Sequence, residues 1–311
     1  MLHILRKSWY QKTSTQKHIF ILIAIGPALL GYLLFTLYPN ITSVYYSLLY
    51  WTGVTKPDYV GFDNYVKIAH DHFFWNALYH NFLYTLIIPP LILIISLFLA
   101  YLLTYKGYRE SSFYKVLYFF PNVLPVVVIS LLWAFIYDGN FGLINAFLKM
   151  ISIDIGEYYW LGHEKTAFWA IIPPTVWAGV GFYVVIIMNA MAAIPKSLYE
   201  SAILEGASHT QRLYHITIPL INGVLRVCLL FIVLGLFRNF ELILVLTNGG
   251  PSGSTDVVGL YMFNYAFGSK VGTATIHDYG YASAIGMCLF VILISIKLIM
   301  DKFLPDKTVE F

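Results

Sequence analysis

Six apolar runs dominate the chain, near residues 19–38, 82–105, 115–137, 167–194, 219–246 and 279–300. Each is close to the roughly 20 residues that an α-helix needs to cross the hydrocarbon core of a bilayer. The pattern predicts an all-α, polytopic membrane bundle of six transmembrane helices, organised as one domain over residues 1–311. Six crossings put both termini on one side. Between the fourth and fifth runs lies the most polar, charge-bearing interval, ESAILEGASHTQRLYHITIP from Glu200 to Pro219. Its punctuation is helical. Ser197 followed by Glu200 reads as a capping box for a helix of about two turns, and Gly206 as its C-terminal stop. Ser208 and Gln211 repeat the pattern, so a second short helix should start there and lead into Pro219. Residues 195–219 are therefore expected to form a helix, a glycine turn and a helix.

Charge sets the orientation. Residues 1–18 hold Arg6, Lys7, Lys12 and Lys17 with no acid. The first run is long and lacks a small-x-small cleavage site, so it reads as a retained span rather than a signal peptide. The same side receives Lys106, Arg109 and Lys115, the Glu200 interval, and Lys302 and Lys307. The longer segments 39–81, 138–166 and 247–278 carry few basic residues and most of the loop acids. By the positive-inside rule the first side, with both termini, is cytoplasmic.

Composition narrows the class. The chain is 59% hydrophobic and 11% charged, which no soluble surface could accommodate. A net charge of +3 is too small to suggest nucleic acid. Cys228 and Cys288 sit inside apolar runs and read as small buried hydrophobes, not as a disulfide or zinc pair. No G-x-x-x-x-G-K-[ST] loop occurs, so the chain is not expected to bind ATP itself. Gly179-Val180-Gly181 lies within a span and reads as close helix packing. His70-Asp71-His72 reads as an exposed polar turn, and His163-Glu164 lacks a zinc protease's second histidine. Asn40-Ile41-Thr42 matches a glycosylation sequon, a pattern common by chance. With no nucleophile, base and orienting group, neither an enzyme nor a bound cofactor or metal is expected.

Several candidates lie inside the spans. Arg226, Arg238 and Glu241 interrupt the fifth run, and intramembrane charges face a bundle interior or a wet cavity. Arg238 and Glu241, three apart on one helical face, can pair structurally or stand on a solute path. Phe182, Tyr183 and Asn189 on the fourth run are path candidates, with Phe182 and Asn189 seven apart on a shared face. Tyr281 and Ser283 are candidates on the sixth. Pro27, Pro89-Pro90, Pro121, Pro125 and Pro173-Pro174 break or bend helices where neighbours or a cavity must satisfy the freed carbonyls.

Glu200-Ser201-Ala202, then Gly206 after three residues, then Ile216-Thr217-Ile218-Pro219 after nine more, resembles the E-A-A…G…I-x-L-P loop of permease subunits of ATP-binding-cassette importers. Ser201 for Ala and Ile218 for Leu are the departures. Gly61-Phe62-Asp63-Asn64-Tyr65, Phe74-Trp75-Asn76-Ala77-Leu78, Phe120-Pro121, Trp133 and Gly142-Leu143-Ile144-Asn145 resemble, in order, elements of the maltose-type subunits. So do Phe240-Glu241, Leu246-Thr247-Asn248-Gly249-Gly250-Pro251, Tyr265-Ala266-Phe267 and Gly280-Tyr281-Ala282-Ser283-Ala284. The resemblance implies a carbohydrate permease in a bacterial or archaeal cytoplasmic membrane. It implies as partners a second permease, two ATPase subunits carrying ATP and Mg, and an extracytoplasmic solute-binding protein. Glu200, Ser201, Ala202, Glu205, Gly206, Ala207, Ile216 and Pro219 would then couple the spans to the ATPase. A permease for amino acids or sugar phosphates, and an ion-coupled transporter with midplane carboxylates, remain alternatives on this reading.

Single cysteines test the orientation in intact cells. At Lys12 and Arg109 they should resist an impermeant thiol reagent, and at Asp63 one should be labelled; labelling at Lys12 with none at Asp63 would reverse the topology.

Overall fold

The structure, a computed structural model, describes residues 2–54, 56–105, 111–153, 155–268 and 277–303. Lys106, Arg109 and Lys307, and the side chains of Arg6, Lys7 and Lys12, lie outside the described residues. Helix α1 (Leu2–Tyr32) passes through a π-turn at Leu33–Leu37 into α2 (Tyr38–Tyr46), so the first apolar run continues as helix beyond residue 38. A two-stranded antiparallel hairpin, β1 (Leu49–Tyr50) and β2 (Asp58–Tyr59), pairs Leu49 with Tyr59. Helix α3 (Asp63–His70) leads into the long α4 (His72–Tyr105), which carries Pro89 and Pro90 within it. The third run is broken: α5 (Ser111–Val123) and α6 (Val126–Ile136) meet at 96°. Short helices α7 (Leu143–Met150) and α8 (Glu164–Ala170) precede α9 (Ile172–Ala192).

The polar interval holds α10 (Lys196–Leu204), α11 (His209–Arg212), a π-turn at Leu213–Thr217 and α12 (Ile218–Leu220). A 70° bend then separates it from α13 (Asn222–Arg238). Helices α14 (Glu241–Leu246), α15 (Val258–Phe267) and α16 (Tyr279–Phe303) complete the chain. Four helices among the described residues are long and apolar enough to cross a membrane, or six spans result when each bent pair counts as one. The fifth run thus differs from its expected course. It is a span only to Arg238, because Asn239 turns extended (φ −91, ψ 109) and ends α13.

Helices α4 and α9 form the centre of the bundle, packing Ile88 and Ile92 with Val180, Val184 and Ile187. The close packing expected at Gly179-Val180-Gly181 is present. A Cβ on Gly181 would fall 2.0 Å from the Tyr118 carbonyl of α5, so α5 can cross α9 only over a glycine. A second core joins Phe74 and Ala77 of α4 to Phe237, Val258, Tyr281 and Ile285. Asn81, fully buried, joins three helices: its Nδ2 donates to Leu236 O (3.2 Å) and its Oδ1 accepts the Val258 amide (2.9 Å). Leu236 O is one of the carbonyls left open by the end of α13, so this amide caps the break from outside the helix.

The segments between spans on the far side from α10 are tied by the sequence elements singled out above. Asn64 Nδ2 donates to the carbonyls of Ser47 and Leu49, both at 2.9 Å, and the Tyr65 hydroxyl donates to Ser47 Oγ at 2.7 Å. Gly280 lies so close to Leu49 O that an added Cβ would sit 1.8 Å from it. Asn145 donates to Gly139 O (2.9 Å) and accepts from Trp160 Nε1 (2.8 Å).

Asp71 corrects the reading of His70-Asp71-His72 as an exposed turn. Its Oδ2 accepts the hydroxyls of Tyr261 and Tyr281, each at 2.5 Å, and its Oδ1 accepts the Phe73 amide at 3.0 Å. Lys67 covers the arrangement, 3.9 Å from the Tyr281 ring centroid and 3.6 Å from Asp278. One carboxylate therefore fastens the α3–α4 junction to α15 and α16. Partial burial pushes the Asp71 carboxyl up, but the two tyrosine hydroxyls and the Phe74 and Phe73 amides outweigh it, leaving it below the usual carboxylate range.

A depressed carboxyl contributes stability that is fully present above its unfolded value and is lost as pH falls through the folded one. Asp71→Ala should lower stability at pH 7 by about 1 kcal/mol, the low end for charged hydrogen bonds because solvent reaches part of the group. The variant should also lose less stability than the wild type on acidification below about pH 4, where the ordinary carboxyl titrates. Thermal unfolding of the purified chain across pH checks both.

Candidate functional site

A cavity of about 560 Å³ opens in the half of the bundle remote from α10, inside the roughly 300–1,000 Å³ range of small-molecule pockets. Its wall is built where helices break. Asn122 and Val126 flank the α5–α6 bend, and Asn239, Glu241 and Leu242 flank the α13–α14 break. Proline and irregular backbone are tolerated at membrane depth where a cavity or protein groups take over the freed backbone. Asn122 Nδ2 donates to Ala178 O at 3.2 Å, which holds the bend against α9. Ser130 of α6 reaches Leu242 O at 3.5 Å. Pro174 has no N–H for Ala170 O, and the Tyr137 hydroxyl supplies the missing donor at 2.9 Å.

Aromatic faces line the rest: Tyr84, Phe182, Tyr183 and Phe231. Tyr84 is held by stacking on Phe168 (4.5 Å between centroids, 7°), and Phe182 meets Tyr183 edge to face at 5.2 Å. Of the path candidates, Phe182, Tyr183 and Glu241 line this cavity. Asn189, Arg238, Tyr281 and Ser283 do not. Asn189 shares a helical face with Phe182, but seven residues are about 10 Å of helix, which places it below the cavity floor. Tyr281 is fully buried in the second core, bonded to Asp71, and half-buried Ser283 follows on the same helix.

The expected Arg238–Glu241 pair does not form. The extended Asn239 ends the helix between them, so the two no longer share a face, and among the described residues no ion pair joins them. Arg226 instead bonds Asp301 at 3.1 Å, which Lys297 also reaches at 3.2 Å. Sequence reasoning missed Asn122, Thr175 and Asn239. An amide beside a helix breaker within an apolar run was the available signal, as in Asn122 between Pro121 and Pro125.

At the other end, α10 and α11 form the expected helix, glycine turn and helix. One cap differs. Pro195, not Ser197, precedes the helix, so Ser197 lies inside the first turn and cannot pair with Glu200 as a capping box. The C-terminal end is as expected: Gly206 is left-handed (φ +79), with its N–H on Ile203 O (3.0 Å) and the Ala207 N–H on Ala202 O (2.9 Å). That double closure is a Schellman motif. The second capping box forms in full, Ser208 N to Gln211 Oε1 at 2.7 Å and Gln211 N to Ser208 Oγ at 3.3 Å. The Tyr199 hydroxyl meets Thr217 Oγ1 (2.9 Å) and Tyr101 donates to His209 O (3.0 Å), fixing the loop to the spans. Glu200, Ser201, Glu205 and Gly206 are exposed, as is Pro219, while Ala202, Ala207 and Ile216 are half-buried. Leu204, 89% exposed, and Ile203 present apolar surface beside them.

A family described as binding-protein-dependent transport system inner membrane component matches residues 92–309. The chain belongs to this family. It is thus a membrane permease subunit, a transport component rather than an enzyme. It is 33% identical over 290 residues to the probable ABC transporter permease protein YurN of Bacillus subtilis, covering 93% of this chain and 97% of that protein. To the diacetylchitobiose uptake system permease protein NgcF of Streptomyces coelicolor it is 31% identical over 291 residues, 90% of this chain and 80% of that one. Its fold is similar to a chain in the crystal structure of a bacterial alginate ABC transporter in complex with alginate pentasaccharide-bound periplasmic protein. That match has a TM-score of 0.80 at 23% identity over 96% of this chain and 99% of that chain, a likeness of fold alone.

Ser208→Ala tests the second capping box. It should cost about 1 kcal/mol locally, read as faster hydrogen exchange at the Gln211 amide and its neighbours with the central spans unchanged.

Proposed function

We propose that this permease subunit carries carbohydrate, most suitably oligosaccharide, through a path shared with a second permease, coupled to two ATPase subunits and fed by an extracytoplasmic solute-binding protein. The observation that carries this reading is the division of the bundle into two ends. One holds a cavity of aromatic faces, amides and hydroxyls; the other holds an exposed, rigidly capped helix pair. Pyranose rings present apolar C–H faces that stack on Tyr and Phe, and hydroxyls that bond amides. Diacetylchitobiose, the solute of the uptake system to which NgcF belongs, agrees with that chemistry. The long apolar surface of α1 and α2, whose most apolar window buries nothing within the chain, would face lipid and the second permease.

Coupling follows from rigidity. A helix pair fixed by Schellman and capping-box closures moves as one body, so a push on α10 reaches α4 through Tyr101 and α12 through Thr217. ATP and Mg on the ATPase subunits would close them, draw α10 inward and turn the cavity outward; hydrolysis would reset it. In this arrangement α10, α11 and both termini are cytoplasmic, and Glu200 faces a basic group of the ATPase.

Substitutions at two positions test this. Gly206→Val forces a β-branched residue into the left-handed region, at a cost of about 1–3 kcal/mol; Gly206→Asn should be milder. Glu200→Lys sets like charges against each other at the interface. Stimulation of the reconstituted ATPase by sugar-loaded binding protein should fall at least about tenfold in Gly206→Val and Glu200→Lys, with membrane levels near normal. Wild-type stimulation in both would mean that this loop does not couple the two machines.

A further inference from the structure

We infer that Glu241 acts as a charge filter in the cavity, admitting neutral and amino-bearing oligosaccharides and rejecting acidic ones; this rests on the carbohydrate reading above. Among the described residues, Glu241 is the one charged residue lining the cavity, and no Lys, Arg or His lines it. Its side chain is exposed, and among the described residues no hydrogen bond or ion pair engages it. Four carboxylates of the outer segments differ. Asp71 holds two tyrosines, Asp138 accepts the Asn140 and Phe141 amides, Asp256 the Val257 amide and Asp278 the Tyr281 amide. Each of those is occupied with structure. Arg238, the cation nearest in sequence, stands beyond the break at Asn239 and does not line the cavity.

The neutral polar groups around Glu241 point the same way. Tyr84 donates to Phe168 O (3.3 Å), Thr175 to Ile171 O (2.7 Å) and Asn122 to Ala178 O (3.2 Å). The hydroxyls of Tyr84 and Thr175 thus have their single donor committed and offer the cavity acceptor oxygen, while Asn122 keeps its second N–H for a ligand oxygen. A wall of hydroxyls and amides with one carboxylate suits ligands that donate to that carboxylate, such as hydroxyls and ammonium groups. A uronate ring brings a carboxylate that only accepts, and it would meet like charge at Glu241.

The test bypasses the binding protein, because that protein imposes its own selectivity. The permease pair with its ATPases, held in nanodiscs, is titrated directly with three trisaccharides: maltotriose, chitosan trisaccharide and trigalacturonate. Maltotriose and chitosan trisaccharide should bind, with trigalacturonate at least about tenfold weaker and the gap widening as salt is lowered. Glu241→Gln should narrow the gap between maltotriose and trigalacturonate about tenfold, and Glu241→Asp, which keeps the charge, should preserve it. Trigalacturonate binding as tightly as maltotriose in the wild type would overturn the filter. A gap unchanged in Glu241→Gln would overturn it as well. Binding of none of the three, with the ATPase still stimulated by a loaded binding protein, would overturn the carbohydrate reading and the filter with it.

Discussion

Inside a bilayer a backbone N–H or C=O has no water to turn to, and leaving one unpaired costs several kcal/mol. Three departures from regular helix among the described residues are shaped by that constraint. Where α13 ends at Arg238, Asn81 supplies the donor for Leu236 O; where Pro174 removes an N–H, Tyr137 supplies one for Ala170 O. At the α5–α6 bend, Asn122 bonds across to Ala178 O instead of spending its amide on its own helix. The polar side chains of the bundle are thus placed where the backbone is broken.

The constraint also explains why the cavity lies where it does. Two breaks, one before Val126 and one at Asn239, face the same space, and between them they prevent α6 and α14 from closing onto α9. A bundle of unbroken helices would fill that space with side chains at interior density. Here the packing is given up locally, while α4 and α9 keep a continuous core through Ile92, Val184 and Ile187. Gly181 lets α5 lie directly against α9, so the bend beyond it is held on a rigid neighbour. The opening is therefore a defined void rather than a loose one.

The end that carries α10 and α11 is built differently. It is exposed, and its order comes from local closures: Gly206, the Ser208–Gln211 box, the Tyr199 hydroxyl on Thr217 and the Tyr101 hydroxyl of α4 on His209 O. Its apolar residues, Leu204 above all, stay outside. Through Tyr101 this end is bonded to α4, whose Tyr84, Ile88 and Ile92 border the cavity.

Much of this was legible in the sequence because it depends on local rules. Apolar runs of bilayer length set the spans, and Gly206, Ser208 and Gln211 marked turns whose geometry is decided within a few residues. The spacing from Glu200 to Pro219 carried the family. What escaped depended on contacts between distant segments. Pro195 displaced the first capping box by starting the helix early, and the break at Asn239 separated Arg238 from Glu241, which a continuous helix would have paired. Tyr281 looked like a residue of the solute path until Asp71, 210 positions earlier, proved to hold its hydroxyl. Asn122 and Asn239 became cavity residues only when two helix breaks from different spans met. Periodicity reports which face a residue occupies on its own helix; which helices stop, and what their ends meet, is settled by packing across the whole bundle.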